Sequence, residues 1–194
     1  MPTAVPDDCV WTLTVEQYHA MAREGILTDE DAVELVEGLL LQKMTKHPPH
    51  TLATGLTQDA LLTILPKGWF VNVQDPVTTI DSEPEPDLTV VRGRRREYGG
   101  RHPGPEDVAL IVEVADDSLR RDRSRKKRAY ARASIAVYWI VNLVDRQIEV
   151  YTDPTGPADK PDYRNHHDYG PETSVAVVID GKEIGRLNVA DLLP

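Results

Sequence analysis

The chain has 194 residues, of which 40% are hydrophobic and 28% charged, a balance typical of globular proteins. It contains no apolar run of about 18 residues, the length that a membrane-spanning helix requires. Its first residues, MPTAVPDDCVW, lack the layout of a signal peptide, and Cys9 is the single cysteine, so we expect a cytoplasmic protein. The net charge of −10 argues against a protein that coats nucleic acid without specificity.

The charge is unevenly distributed along the chain. Thirteen of the 22 Lys and Arg lie between residues 92 and 132, together with seven acidic residues, whereas the remainder is strongly acidic. A basic segment on an acidic body is either a surface that faces phosphate or a solvated helix face rich in arginine. From charge alone, the solvated face is the simpler interpretation.

The first half of the chain predicts two helices and a hairpin. Residues 1 to 10 form an expected flexible leader to a single domain over residues 11 to 194. A first helix is predicted between a cap at Thr14 and a stop at Gly25. The stretch DAVELVEGLLLQKM predicts a short hairpin centred on Gly38, and HPPHTLATGLTQDALLTIL predicts a second helix. The predicted apolar face of that helix comprises Leu52, Leu56, Ala60 and Ile64.

The second half is rich in predicted strands. WFVNVQDPVTTI, PDLTVV and DVALIVEVA read as strands, SLRRDRSRKKRAYARAS as a helix, and AVYWIV with RQIEVYT as a hairpin. Residues 92 to 107 and 153 to 172 are expected loops, and the C-terminal stretch predicts a β-hairpin turning at Asp180 and Gly181. This order predicts an α/β fold with a mixed central sheet flanked by helices. Its core spans about residues 11 to 152, and residues 173 to 194 form a β-rich extension.

Two carboxylates stand in strands that are otherwise apolar. Asp87 begins DLTVV, and Glu113 lies within ALIVEVA. An isolated carboxylate in such a strand costs several kcal/mol unless it is paired, bound to a metal or close to water. Because sequential strands often pair, the two side chains are expected to meet at one edge of the sheet, where a divalent cation would neutralise them. The alternatives are a turn or cap role for Asp87 and a structural ion pair for Glu113.

The helix that follows Glu113 supplies a third group. Asp122, Lys126 and Tyr130 are spaced at i, i+4 and i+8, next to small alanines that would pack on a sheet. Lys126 is therefore expected to face the strand that carries Glu113. Asp122 would either pair with Lys126 or share the metal. The outward bases that we expect to contact nucleic acid are Arg120, Arg121, Arg123, Arg125 and Lys127.

These stretches resemble a known family. PDLTVV, then LIVEVADDSLRRDRSRKKRAYARASIAVYWIVN, is similar to the Uma-two family of bacterial proteins, within the PD-(D/E)xK restriction-endonuclease-like superfamily. The likeness covers about residues 11 to 152. It implies phosphodiester hydrolysis with Mg²⁺ or Mn²⁺, and DNA is the favoured substrate. It also implies a homodimer, which nothing in the residues themselves tests.

By resemblance, the motif residues of the family fall on particular positions of this chain. Asp87 and Glu113, with the Val114 carbonyl, would hold the metal, and Lys126 would orient the attacking water or stabilise charge on the phosphate. Accessory positions that the resemblance or the helical spacing suggests are Glu34, His50, Asp122 and Tyr130. His50 and Tyr130 alternatively serve only as a helix-start residue and a packing residue. The adjacent His166 and His167, in a predicted loop, are not assigned to a site.

The sequence departs from the family pattern at three positions. Ala115 stands where the superfamily usually has its lysine, which is why Lys126 is the candidate. Ser134 and Ile135 stand where a Gly is usual, and Asn142 where an Asp is usual, at what we interpret as turn and packing positions. Because nuclease folds also occur without catalysis, two alternatives to an active nuclease remain. One is an inactive binding or regulatory module, and the other is an assembly protein whose carboxylates only make ion pairs.

Overall fold

The protein, described here by a computed structural model for residues 10 to 194, is built around a six-stranded mixed sheet. The predicted leader lies outside the described residues except for Val10. The helices are α1 (Val15–Arg23), α2 (Pro48–Ile64), α3 (Leu119–Arg121) and α4 (Lys127–Arg132). The strands are β1 (Val33–Val36), β2 (Leu39–Gln42), β3 (Trp69–Val73), β4 (Leu88–Arg92), β5 (Val108–Ala115), β6 (Val137–Asn142), β7 (Gln147–Pro154), β8 (Tyr163–Tyr169), β9 (Ser174–Ile179) and β10 (Lys182–Asn188).

The strand order β3-β4-β5-β6-β7-β8 confirms the predicted α/β class with a mixed sheet. Strands β5 and β6 are parallel, which requires the crossover that α3 and α4 provide, and the other neighbours are antiparallel. Strands β1 with β2, and β9 with β10, form two separate hairpins. Within the described part of the chain, no helix is long and apolar enough to cross a membrane.

The pairing of β4 with β5 sets the geometry of the candidate site. Leu88 lies opposite Val112 in an antiparallel register. Asp87, which precedes Leu88, is therefore placed beside Glu113, which follows Val112. Since residues directly opposite one another in such a pair point to the same face, both carboxylates lie on one side of the sheet.

The two faces of the sheet are covered by different elements. On one face, α2 and the β9–β10 hairpin pack against the central strands, so that Leu61 of α2 and Val177 of β9 share an apolar cluster with Leu110 of β5. On the other face, α4 packs through Tyr130 and Ala131 against the residues that share the side of Glu113. The C-terminal hairpin is thus part of the main core, since its buried side chains belong to the same apolar cluster as β4 and β5.

The helical segment rich in arginine is not a continuous α-helix. A π-turn separates α3 from α4, and it contains the two buried polar residues, Asp122 and Lys126. Residues Asp122–Lys126 form a π-turn, in which the backbone N–H of Lys127 donates to the carbonyl of Asp122 five residues earlier. Asp122 and Lys126, at the two ends of this turn, are both buried. Such single π-turns are frequent at functional sites.

Two expectations about local structure are wrong. The predicted loop over residues 153 to 172 contains β8, which pairs antiparallel with β7. This strand was missed because it lies at the sheet edge with most side chains exposed, so its sequence, YRNHHDY, carries no apolar alternation. On α2, Leu52 is exposed and the buried residues are Ala53, Thr54, Thr57 and Leu61, so the buried face lies close to but not on the predicted stripe.

The departures from the family pattern have local explanations. Ser134 follows α4 with a left-handed φ of 61°, the conformation that glycine adopts without steric cost. Asn142 ends β6, and its Oδ1 accepts the backbone N–H of Asp145 at 2.9 Å. Its Nδ2 donates to buried Glu149 at 2.7 Å. An aspartate at position 142 would place a second carboxylate against Glu149, so asparagine is the suitable residue in this chain.

Candidate active site

Asp87 lies at the start of β4, buried and held by three donors. Its Oδ2 accepts the backbone N–H of Val114 at 2.9 Å and lies 3.1 Å from Nε2 of His50. Its Oδ1 is 3.3 Å from the amide nitrogen of Gln74, a long hydrogen bond. Burial raises the pKa of Asp87, but the hydrogen bond and charge of His50, with the Val114 N–H and Lys126, outweigh it and lower the pKa. Asp87 is therefore an anion at neutral pH.

Glu113 is buried on β5, as the resemblance requires of a motif glutamate. Its Oε1 accepts hydrogen bonds from Lys126 Nζ at 2.9 Å and from the Tyr130 hydroxyl at 2.6 Å. Burial raises the pKa of Glu113 to about 8, since the opposing charge of Lys126 is shared with other carboxylates. Because two donors already occupy Oε1, a proton on this carboxyl would sit on Oε2.

Lys126 is the cation of the cluster. Its Nζ lies 2.9 Å from Glu113 and 3.3 Å from Oε1 of Glu34. Burial lowers the pKa of the lysine, but the charges of Glu113, Glu34 and Asp122 outweigh it and raise the pKa above the ordinary value. Lys126 is therefore protonated at neutral pH. An ammonium group has three hydrogens, so one is left for a ligand in the cleft.

Glu34 and Asp122 complete the acidic wall around Lys126. Glu34, on β1, accepts the backbone N–H of Glu85 at 3.0 Å, which fixes the hairpin against the site. Asp122 accepts the Ser118 hydroxyl at 2.6 Å. Burial raises the pKa of Asp122 to about 6, against the lowering effects of Lys126 and Ser118. One ammonium group thus faces three buried carboxyl groups; burial and this crowding raise the pKa of Glu113 and Asp122, and a divalent cation that displaced their protons would neutralise the cluster.

The structure brings the predicted site residues to one cleft. Glu34, His50, Asp87, Glu113, Val114, Asp122 and Lys126 all line it. Tyr130 lies behind Glu113 and reaches the cleft only through that carboxylate. The connection between β2 and α2 forms the opposite wall, and Arg121 lies beside the mouth, where it donates to the Gln42 carbonyl at 2.8 Å.

The predicted nucleic-acid contacts are in different environments. Arg123 binds Glu149 at 2.6 Å, Lys127 lies 2.8 Å from Asp162, and Arg125 lies 3.7 Å from Glu37. Arg120 is exposed and has no ion pair with the residues that the structure describes, and Arg121 faces the cleft. Within this predicted set, Arg120 and Arg121 are the best placed to meet a strand that enters the cleft.

The donor set fits a hard divalent cation. Asp87 and Glu113 offer carboxylate oxygens, the ligand type that Mg²⁺ and Mn²⁺ prefer. Glu113 Oε2 accepts no hydrogen bond from the described residues. In this part of the chain, the polar side-chain atoms that are both enclosed and without a partner are His50 Nδ1, Thr57 Oγ1 and Trp139 Nε1. Oε2 is not one of them, so it is not fully enclosed. Oε2 therefore reaches the open space of the cleft. Two carboxylates suit Mg²⁺, which keeps several waters.

A tighter group of metal-ligand types occurs on the same face of the sheet, two strands away from Glu113. Ligand atoms of Glu149, His166 and Asp168 lie within 4.8 Å of one another, and in the described residues Asp87 and Glu113 form no such group of three. However, both oxygens of Glu149 already accept hydrogen bonds, from Arg123, Asn142 and Tyr151. A metal at Glu149 would have to displace the charged Arg123, bound at 2.6 Å, whereas Oδ1 of Asp87 would give up only the long bond from Gln74 at 3.3 Å, so we assign Glu149 to the structural network.

Sequence reasoning missed two supports of the site. Gln74, after β3, holds Asp87, and the Glu85 backbone holds Glu34. Gln74 stands among other polar residues, Asn72 and Asp75, at a strand end, and a backbone donor has no side-chain pattern, so the local sequence indicates neither contact.

Comparisons with known proteins agree with the fold. A crystal structure titled as a putative nuclease belonging to DUF820, from Anabaena variabilis ATCC 29413, matches with a TM-score of 0.64 and 15% sequence identity. The match covers 93% of this chain and 97% of that one. At this identity the likeness concerns the fold. No protein of curated function matches the sequence. The Uma2 family model, described as "putative restriction endonuclease", matches residues 15–180, and the chain therefore belongs to the Uma2 family.

Proposed function

We propose that this protein is a metal-dependent nuclease that hydrolyses phosphodiester bonds, with DNA as the favoured substrate. The observation that carries the proposal is the position of the Lys126 ammonium between buried Glu113 and Glu34, with Asp87 beside it on the neighbouring strand. A cleft that holds two buried carboxylates and one ammonium group, with Glu113 Oε2 free of hydrogen bonds from the described residues, suits a scissile phosphate and its metal. The family description supports the same reaction class.

Each residue of the cleft has a role in this proposal. Asp87, Glu113 and the Val114 carbonyl would hold Mg²⁺ or Mn²⁺, which when bound polarises the phosphate and activates water. Lys126 stays protonated, so it stabilises negative charge on the phosphoryl oxygens and does not act as a proton acceptor. His50 fixes Asp87 from the side of α2 through its Nε2. Asp122, held by Ser118, adds to the negative field that keeps Lys126 protonated.

Arg121 is the proposed contact to the nucleic-acid backbone. Its side chain is partly buried at the cleft mouth, and its guanidinium lies 3.9 Å from Glu34, beyond a close ion pair. A guanidinium group with free N–H donors binds phosphate in a bidentate manner. Arg120, exposed in the same turn, is a second proposed contact.

The proposal is tested by incubating supercoiled plasmid with the protein in Mn²⁺, in Mg²⁺ and in chelator. We expect nicking with metal only, and a loss of at least roughly 100-fold in Glu113→Gln, because a metal ligand and the partner of Lys126 are removed together. The matched control is Glu149→Gln, a change of an equally buried carboxylate outside the cleft, which should keep most of the activity while it remains folded.

Parallel reactions with single-stranded DNA and with RNA identify the preferred substrate. Cleavage of RNA alone would contradict the choice of DNA but keep the nuclease. Nicking that persists unchanged in Glu113→Gln would contradict the site. Absence of cleavage on all substrates, with metal bound, would favour the inactive binding module.

A further inference from the structure

We infer that Tyr130 is a positioning residue that, together with Lys126, holds Oε1 of Glu113 and so leaves Oε2 as the oxygen that faces the cleft. This inference rests on the proposed function, since it concerns how the metal ligand Glu113 is oriented. It assigns a role to a tyrosine that touches neither the cleft nor a substrate.

The first support is the geometry of the hydrogen bonds. The Tyr130 hydroxyl donates to Oε1 of Glu113 at 2.6 Å, and Lys126 donates to the same oxygen at 2.9 Å. Neither residue donates to Oε2. Two donors on Oε1 restrict rotation of the Glu113 carboxylate about its Cγ–Cδ bond, because such a rotation would break both hydrogen bonds.

The second support is that Tyr130 is itself fixed. Its side chain is fully buried in the core under α4, and its ring lies against the Tyr138 ring with 5.0 Å between the centroids. The tyrosine is carried by α4, one turn after the π-turn that carries Lys126. The two donors therefore approach Glu113 from one rigid helical segment.

The third support is chemical. A tyrosine side chain is a phenol that carries its hydrogen at neutral pH. A neutral phenol has one hydrogen to donate, and the acceptor here is the Glu113 carboxylate. Tyr130 is thus neither a nucleophile nor a base in this structure, and its polar atom serves only to orient Glu113.

The simplest alternative is that Tyr130 only fills the core. Tyr130→Phe separates the two, since it keeps the ring and removes only the hydroxyl group. The matched control is Tyr163→Phe, another buried tyrosine whose hydroxyl donates to the Ile135 carbonyl at 2.9 Å, away from the cleft. Both variants lose one buried hydrogen bond, so a purely structural effect would be similar in the two.

The experiment is a calorimetric titration of Mn²⁺ into metal-free wild type, Tyr130→Phe and Tyr163→Phe, with circular dichroism to verify folding. We expect the Mn²⁺ affinity of Tyr130→Phe to fall about tenfold or more, the usual effect of losing a partner of a ligand, and that of Tyr163→Phe to stay unchanged. The rise in melting temperature caused by Mn²⁺ should shrink in the same variant alone. In plasmid nicking, excess Mn²⁺ should restore most of the activity of Tyr130→Phe.

Different results would overturn different claims. Equal Mn²⁺ affinity in wild type and both folded variants would overturn the role of Tyr130 and leave the metal site intact. Equal losses in Tyr130→Phe and Tyr163→Phe would also overturn it, since the effect would then be structural. Failure of the wild type itself to bind Mn²⁺ would overturn the proposed function, and this inference with it.

Discussion

At the residue scale, two buried glutamates show how partners decide what a carboxylate does. Glu113 shares one lysine with Glu34 and Asp122, so burial dominates and its pKa is raised. Glu149 is surrounded by donors. Burial raises its pKa, but the hydrogen bonds from Arg123, Tyr151 and Asn142 outweigh it and hold the pKa below its usual range. Glu113 thus has one oxygen, without a donor among the described residues, that a cation can bind, whereas both oxygens of Glu149 already accept hydrogen bonds.

Glu149 therefore gives a prediction for the pH dependence of stability. Its folded-state pKa lies below the unfolded value, so its stabilisation is complete above the unfolded pKa and is lost as the pH falls through the folded one. We expect Glu149→Gln to lower the free energy of unfolding by roughly 1–3 kcal/mol at pH 7. The difference from wild type should narrow below the ordinary glutamate pKa of 4.5.

Urea unfolding at several pH values measures this difference. The control is Asp153→Asn, which removes an exposed ion pair with Arg164 and should change stability by less than about 1 kcal/mol at any pH. A deficit for Glu149→Gln that stays constant from pH 7 to the acid limit would contradict the depressed pKa of this glutamate.

At the element scale, α4 ends in a geometry that prefers glycine. The N–H of Ile135 donates to the Tyr130 carbonyl at 3.1 Å and that of Ser134 to Ala131 at 3.0 Å, the pattern of a Schellman motif. Ser134 occupies its left-handed position, with φ of 61°. Serine at this position carries a conformational cost that glycine would not.

Ser134→Gly is accordingly expected to raise the free energy of unfolding by about 0.5–1 kcal/mol. The matched change is Ala133→Gly at the preceding residue, whose φ of −74° is helical, and this change should lower stability by a similar amount. Chemical denaturation of both variants gives the comparison. Equal destabilisation by the two glycines would show that the left-handed position carries no cost.

How well each element is predicted from the sequence depends on its burial. Strands β4, β5 and β6 are buried and apolar, so their runs and the turns between them predict both the strands and the pairing that joins Asp87 to Glu113. Five of the seven residues of strand β8 are exposed, and no pattern distinguishes it from a loop. The π-turn was also not predicted, because an i, i+4 spacing suits an α-helix equally well.

At the scale of the whole molecule, the arginines of residues 120 to 132 form ion pairs with an acid that is distant in the sequence. Arg125, Arg128 and Arg132 lie along one side of the helical segment and all meet Glu37, which is up to 95 residues away in the chain. No local periodicity reveals such pairs. The inward position of Lys126 follows from helical spacing, whereas its contact with Glu34 becomes visible only in the folded chain.

Most of these basic side chains already form ion pairs with acidic residues of the same protein, so we expect the protein to make few contacts with phosphate. We expect a plot of the log binding constant against log salt concentration to have a shallow slope, corresponding to roughly two or three phosphate contacts. Arg121→Ala should reduce the magnitude of this slope by about one. Anisotropy measurements with a short DNA duplex in chelator, where metal-dependent cleavage is prevented, give these slopes. Arg186→Ala, on the C-terminal hairpin, is the control and should leave the slope unchanged.

A steep slope, or equal effects of Arg121→Ala and Arg186→Ala, would contradict this view of the surface. A steep slope would mean that the arginines paired with Glu37 exchange their partner for phosphate.

The central claim, that the cleft of Asp87 and Glu113 is a metal site, is tested most directly by locating the ion. Crystals of the wild-type protein soaked in Mn²⁺ would be measured at a wavelength where manganese scatters anomalously. The account predicts an anomalous peak between the carboxylates of Asp87 and Glu113. A peak only at Glu149, His166 and Asp168, or no peak at all, would contradict it.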